Sequence, residues 1–284
     1  MTRKDELVEQ LRKLKVRLTI GGVLARLMVP LVEVCEFSLS HGFREVVIRT
    51  RLRLGGPTTT TTPLLYAIPR DDGKPFAALS IPPAHDRVST SIVIPVLNNA
   101  AFTHRCLRSI IEQTASGSYE VIVVDNGSDD RSRQMLSRID GPRLIRNDAN
   151  VGFVGACNQG AGAARGDFVL FLNNDTIVVS GWLDALLRTF ERDSSVGAVG
   201  AKLIYPDGRL QEAGGIIWRD GAGWNYGRHG ESDAPEFNYL REVDYCSGAC
   251  LLVRRSLFEM LGGFDNRYAP AYYEDTDLCF RLRE

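Results

Sequence analysis

From residue 91 onward, short unbroken apolar runs alternate with stretches in which apolar side chains recur every three or four positions. The runs Ser91 to Val96, Tyr119 to Val124, Arg143 to Arg146, Phe168 to Leu172 and Val196 to Ala201 read as strands. Ala101 to Gln113, Arg131 to Ile139, Phe153 to Ala164 and Trp182 to Arg192 read as the helices between them. Strands that are apolar at nearly every position are buried on both faces, as when helices cover both sides of a mostly parallel sheet. The pattern predicts an α/β, doubly wound domain over residues 88–284, with ligands gathered outside the carboxyl ends of the strands. Those ends are polar: Pro95 to Asn98, Asp125 to Ser128 and Asn173 to Asp175.

The front of the chain has a different pattern. Leu7, Leu11, Leu14 and Leu18 form one apolar stripe with Lys and Arg on the other faces, predicting a helical N-terminal extension over residues 1–55. That stripe packs on protein or lies on a membrane surface. Gly55, Gly56, Pro57, the threonines 58–62 and Pro63 open a linker over residues 56–87, and Pro69 to Pro83 continues the loop character.

Composition sharpens this division. The chain is 44% hydrophobic, enough for a packed core, and its net charge is −1. Residues 1–55 hold 11 Lys and Arg against 6 Asp and Glu, a balance of +5. The remaining 23 against 29 give −6, so the main body has no basis for broad nucleic-acid binding, while the front end suits an anionic membrane surface. The six cysteines show no CxxC pair and no zinc spacing, which fits reduced cytosolic thiols. Arg26 and Glu33 interrupt the apolar stretch Leu18 to Cys35, leaving neither a signal peptide nor a spanning helix. The expected location is the cytoplasm, with the basic front end offering contact with the inner face of the cell membrane.

The polar blocks carry the candidate chemistry. Asp125 ends a strand in a turn-rich tip that exposes carboxylate and amides; its other role would be to cap the helix near Asp130. Asn150 to Gly160 places glycines at a helix start, which suits either a phosphate or close packing. It has neither a Walker lysine nor GxGxxG spacing. Asp175, on a strand tip, suits Mg²⁺ or Mn²⁺, which take one or two carboxylates and complete their shell with water and phosphate; otherwise it is a helix cap. Glu274, Asp275 and Asp277 follow the turn Gly262-Gly263-Phe264-Asp265 and either serve acid–base chemistry or favour a helix dipole. Trp218, Trp224, Tyr226 and His229 fall in a loop-rich stretch, where the rings either stack on a sugar or are simply buried.

Taken in order, Ile92 to Asn98, Val123 to Ser128, Asn150 to Asn158, Asn173 to Asp175 and Gly262 to Asp277 resemble the family 2 glycosyltransferases of the GT-A fold over about residues 90 to 284. The Asn-Asn-Asp-Thr tip and the Tyr-Tyr-Glu-Asp-Thr-Asp block are most similar to bacterial rhamnosyltransferase and galactofuranosyltransferase types that build cell-surface polysaccharide. The resemblance implies that Asp125 accepts hydrogen bonds from the nucleotide base beside a wall of Pro95, Val96 and Asn98. It places Asn150, Gly152, Asn158, Asn173 and Asn174 at the nucleotide, Asp175 at the metal, and Asp275 as general base. Glu274 and Asp277 either position the acceptor or hold arginines such as Arg281, and Trp218 and Trp224 are acceptor contacts. Asn173 departs from the family, which often has Asp there.

The implied function is an inverting, metal-dependent transfer from a UDP- or dTDP-linked sugar to a hydroxyl of a glycan or lipid-linked acceptor. The rival is a non-catalytic nucleotide-sugar or glycan-binding module of a larger synthase; a structural adaptor built on residues 1–55 would explain only the appendage. The resemblance also implies a His on a later strand, and His41, His85, His104 and His229 are all misplaced for it. The chain is therefore expected to be part of a longer enzyme with other domains, holding metal weakly and turning over slowly as it stands.

Overall fold

The computed structural model describes residues 67–83, 87–115 and 118–284. The expected front-end helix and residues 56–66 and 84–86 of the linker lie outside them. The described elements, in chain order, are β1 (Leu79–Ser80), β2 (Thr90–Val96), α1 (Ala100–Gln113), β3 (Tyr119–Asn126), α2 (Ser132–Leu136), β4 (Ile139–Asp140), β5 (Arg143–Asn147) and α3 (Gly152–Gly162). There follow β6 (Phe168–Leu172), α4 (Trp182–Arg192), β7 (Ala198–Gly200), β8 (Leu203–Ile204), β9 (Leu210–Glu212), β10 (Gly215–Ile217), β11 (Gly223–Asn225), β12 (Cys250–Arg254), α5 (Arg255–Met260) and α6 (Glu274–Arg281).

The central sheet runs β5-β3-β2-β6-β12-β7. The first four strands are parallel, and the reversed strand β12 joins β6 to β7 through antiparallel pairs on both its sides. Successive residues of each strand face opposite sides, so one period-2 pattern fills two cores. Ile92, Ile94, Val123 and Leu170 pack with Cys106, Leu107 and Ile110 of α1 and with Leu183, Leu186 and Phe190 of α4. Val93, Ile122, Val124 and Phe171 pack on the other side with Val154 and Cys157 of α3, Phe258 of α5 and Leu278 of α6. The α4 residues recur at spacings of three and four, which explains why its ends are those the periodicity predicts. Helix α3 instead lies close because Gly160 has no side chain; a Cβ there would sit 2.3 Å from Val93 Cγ1.

Two local expectations change. The helix predicted over Arg131 to Ile139 stops at Leu136, because Ile139 and Asp140 enter β4 and pair in parallel with Leu79 and Ser80. The Pro69 to Pro83 stretch thus contains the short strand β1 instead of loop alone. Among the described residues no helix is long and apolar enough to cross a membrane.

Candidate active site

At the ends of β2 and β3 two polar tips are stitched together. Asn98 and Asn99 both take left-handed backbone conformations, φ 60° and 62°, which Asn tolerates better than most residues. This turn brings Asn98 Oδ1 within 2.9 Å of the Asp129 N–H and 3.2 Å of the Asp130 N–H, both donating to it. The Asn98 N–H donates to Ser128 Oγ at 2.9 Å. Pro95 and Val96 precede this turn, partly and fully buried respectively.

Asp125 is fully buried at the end of β3. Its Oδ1 accepts the Ser128 N–H at 3.1 Å, but Oδ2 has no hydrogen-bond partner, and Arg133 Nε stands 3.7 Å away. A buried carboxylate oxygen with a distant ion pair but no hydrogen bond is costly, so a donor supplied from outside the protein accounts for it well. At the start of α2 it is Asp130, not Asp125, whose carboxylate takes a backbone amide: its Oδ1 accepts the Ser132 N–H at 2.8 Å.

Asn126, which the sequence did not single out, braces the adjoining loop. Its Nδ2 donates to Asn150 Oδ1 at 2.8 Å and Gly152 O at 3.1 Å, and its Oδ1 accepts the Val151 N–H at 3.0 Å. Asn150 Oδ1 also accepts the Gly152 N–H at 2.8 Å, and Pro270 O accepts the N–H groups of Phe153 and Val154 at 2.7 and 3.3 Å. The amides at the start of α3 are thus filled by protein atoms, which is the packing role for this glycine-rich block. Gly152 has φ 80°, and a Cβ there would lie 2.9 Å from Pro270 Cα. Asn158 braces the other end of the block: its Nδ2 donates to Phe264 O at 2.8 Å and its Oδ1 accepts the Phe264 N–H at 3.0 Å.

Strand β6 empties into Asn173, Asn174 and Asp175. The Asn173 N–H donates to Ala249 O at 3.0 Å, tying this tip to the segment entering β12. Asn174 Nδ2 donates to Thr103 Oγ1 at 2.9 Å and Asn98 O at 3.5 Å, tying it to β2 and α1. Asp175 is exposed and its carboxylate has no hydrogen bond or ion pair among the described residues. Among those residues no group of three or more His, Cys, Asp or Glu is placed to hold a metal ion. One free carboxylate beside a carboxamide still fits Mg²⁺ or Mn²⁺, because such ions take the rest of their oxygen shell from water and substrate phosphates.

The third carboxylate site opens α6. Asp275 is half-buried; its Oδ2 accepts the Gly248 N–H at 2.9 Å, and its Oδ1 accepts from Thr276 N at 2.7 Å and Thr276 Oγ1 at 3.3 Å. A carboxylate offers about four acceptor positions, so one remains for a substrate hydroxyl. Tyr272 and Tyr273 just before it have φ 82° and 71°, and Tyr273 OH donates to Gly221 O at 2.9 Å and accepts the Gly223 N–H at 3.0 Å. Through Tyr273 the β10–β11 hairpin is fastened beside α6. Trp218, 49% exposed, stands at the turn of that hairpin, and Trp224 lies half-buried in β11. Asp277 is occupied by Arg281, 2.7 Å away, which also donates to Leu261 O and Gly263 O at 2.8 and 2.9 Å. Of the two roles open to Asp277, holding Arg281 is the one this geometry displays.

Glu274 is buried and its Oε2 has no hydrogen-bond partner. Burial first, and then the charge of Asp275, push its carboxyl up to about 7. Below about pH 4.5 such a group is neutral in both the folded and unfolded chain; between there and about 7 only the unfolded chain gives up the proton. Stability contributed by Glu274 is therefore present in acid and lost as pH rises to about 7. Glu274→Gln is expected to be more stable than the parent at about pH 8 by on the order of 1–2 kcal/mol, after allowance for solvent screening near Asp275, and to lose that advantage at about pH 4. Thermal melts of both proteins across this range check it; a constant difference in Tm would contradict it. Glu212, also unmarked by the sequence, is buried on β9 and lies near Asp275, whose charge adds to the effect of burial in pushing its carboxyl up to about 7.

Known proteins share this architecture and sequence. The model of glycosyl transferase family 2 matches residues 91–262. The chain is 33% identical to the O-antigen biosynthesis protein RfbC of Myxococcus xanthus over 70% of its own length and 16% of that protein's. It is 34% identical to the N-acetylglucosaminyl-diphospho-decaprenol L-rhamnosyltransferase of Mycobacterium tuberculosis, over 57% of this chain and 60% of that one. A mannosyltransferase from Pyrobaculum calidifontis, solved with GDP-Man and Mn²⁺, shares the fold with a TM-score of 0.50 at 19% identity, covering 72% of this chain and 55% of that one. The chain thus spans less than two thirds of the length of each. With a parallel-dominated sheet, helices on both faces and polar strand tips gathered at one end, the chain has the GT-A fold and belongs to glycosyl transferase family 2.

Proposed function

We propose that the chain transfers a sugar from a UDP- or dTDP-linked donor to a hydroxyl of a glycan or lipid-linked acceptor, in the synthesis of cell-surface polysaccharide and with inversion at the anomeric carbon. The observation that carries this reading is the contrast between two strand-end carboxylates: Asp125 keeps one buried oxygen without a hydrogen bond, and Asp175 keeps a free, exposed carboxylate. Asp125 Oδ2 accepts the imide N–H of uracil or thymine, beside Pro95, Val96 and Asn98. Asn126, Asn150, Gly152 and Asn158 shape the adjoining wall through the bonds they make to one another, to Pro270 and to Phe264.

Asp175, with Asn173 beside it, would hold Mg²⁺ or Mn²⁺, whose charge supplies stabilisation of the departing diphosphate. Asn174 fixes that tip against β2. Asp275 takes the proton of the acceptor hydroxyl as its oxygen attacks the anomeric carbon, and the bond to the nucleoside diphosphate breaks on the opposite side of the sugar. Proton removal of this kind contributes roughly 10² to 10⁴ in rate. Direct displacement needs no covalent sugar–enzyme intermediate. Trp218 and Trp224 offer ring faces to the acceptor from the β10–β11 hairpin.

The cytoplasmic face of the cell membrane is the proposed place of action, where the basic front end meets anionic lipid. Further domains of a longer chain complete the protein. A thermal-shift panel of UDP, dTDP, GDP and CDP, each with and without Mn²⁺, tests the donor assignment. UDP and dTDP are expected to raise Tm most, and more so with Mn²⁺; a preference for GDP would overturn the role of Asp125.

A further inference from the structure

We infer that Glu212 is a positioning residue for Asp275, holding the segment and the hairpin that aim that carboxylate at the acceptor. The inference rests on the reading of Asp275 as base. Glu212 is the last residue of β9 and is 3% exposed, so it acts through other groups instead of touching substrate. Its Oε2 accepts from Asn225 Nδ2 at 2.7 Å, which ties it to β11. Asn225 Oδ1 in turn accepts from Tyr245 OH at 3.4 Å.

On its other side Glu212 faces the Ser247 backbone, which stabilises the charged form of its carboxyl. The next amide along, Gly248 N–H, is the one that donates to Asp275 Oδ2 at 2.9 Å. Consecutive backbone groups thus serve the two carboxyls, so the placement of Ser247 by Glu212 sets the donor that fixes Asp275. The hairpin that Glu212 holds through Asn225 is held again at its turn by Tyr273 OH, two residues before Asp275. Glu212 and Tyr273 therefore fasten opposite ends of one hairpin beside the base.

The charged and titratable groups around Glu212 are Asp275, Arg228, Tyr245 and Cys246. Burial and the charge of Asp275 push the Glu212 carboxyl up to about 7, with Arg228 opposing. At about pH 6 it is mainly neutral, so a glutamine keeps its shape, its charge and its acceptor oxygen.

The test measures release of UDP or dTDP from UDP- and dTDP-sugars with Mn²⁺ at about pH 6, together with nucleotide affinity and Tm. Glu212→Ala is expected to lower kcat roughly ten- to a hundredfold while nucleotide Kd and donor KM stay within about twofold, as loss of aim does. Glu212→Gln is expected to restore kcat to within about threefold of the parent. Glu212→Ala with unchanged kcat, or Glu212→Gln as slow as Glu212→Ala, would overturn the inference, as would a loss of nucleotide affinity in step with kcat. Asp275→Asn is run beside them. A fully active Asp275→Asn removes the base reading and this inference together, whereas a slow Asp275→Asn beside a fully active Glu212→Ala removes only the role of Glu212.

Discussion

Asp275→Asn is expected to lower turnover at least about a hundredfold while nucleotide affinity stays near that of the parent. The carboxamide has almost the shape of the carboxylate, and its oxygen can still accept the Gly248 N–H that Oδ2 accepts at 2.9 Å. What it cannot do is take a proton at neutral pH. The substitution thus separates the chemical step from the binding of donor, which we propose to lie with Asp125 and Asp175 at strand ends. Steady-state release of nucleoside diphosphate, with nucleotide affinity by calorimetry, measures both. Near-normal turnover would move the base to Glu274, the buried neighbour whose carboxyl is pushed up to about 7.

Asp175→Ala is expected to act on binding. In Mn²⁺ the affinity for UDP or dTDP should fall at least about tenfold, whereas in EDTA the parent and variant should bind alike. The reasoning is the sparseness of the site: Asp175 is the free carboxylate on its strand tip, with the carboxamide of Asn173 beside it. Loss of one anionic oxygen from so small a set leaves little to hold a divalent ion. Stability should hardly change, because the carboxylate is exposed and bonds to none of the described residues. An equal contribution of Mn²⁺ to nucleotide affinity in both proteins would rule Asp175 out.

How legible the fold was depended on how local its causes are. β6 and α4 have the predicted ends because one is an unbroken apolar run and the other repeats Leu183, Leu186 and Phe190 on one face. The β1–β4 pair has only two residues per strand, too few for any period, so the apolar pattern carries the predicted helix on to Ile139. The candidate site divides in the same way. Asp125, Asp175 and Asp275 stand where a strand or a glycine turn runs out, a position visible in the sequence. Filling of the α3 amides by Pro270 depends on a contact between distant parts of the chain, so the block's glycines alone could not distinguish phosphate binding from packing. Asn126 and Glu212 were invisible for a related reason. A single Asn or Glu has no pattern, and its importance comes from partners such as Asn150 and Asn225 that only the fold brings near.

In the proposed mechanism a nucleoside diphosphate and its metal lie across the tips of β3 and β6. A crystal structure of the chain with UDP and Mn²⁺, with the anomalous signal of manganese recorded, tests it most directly. The uracil imide N–H is expected on Asp125 Oδ2 and the manganese peak at the carboxylate of Asp175. A bound nucleotide whose base lies away from Asp125, or a manganese peak away from Asp175, would contradict it.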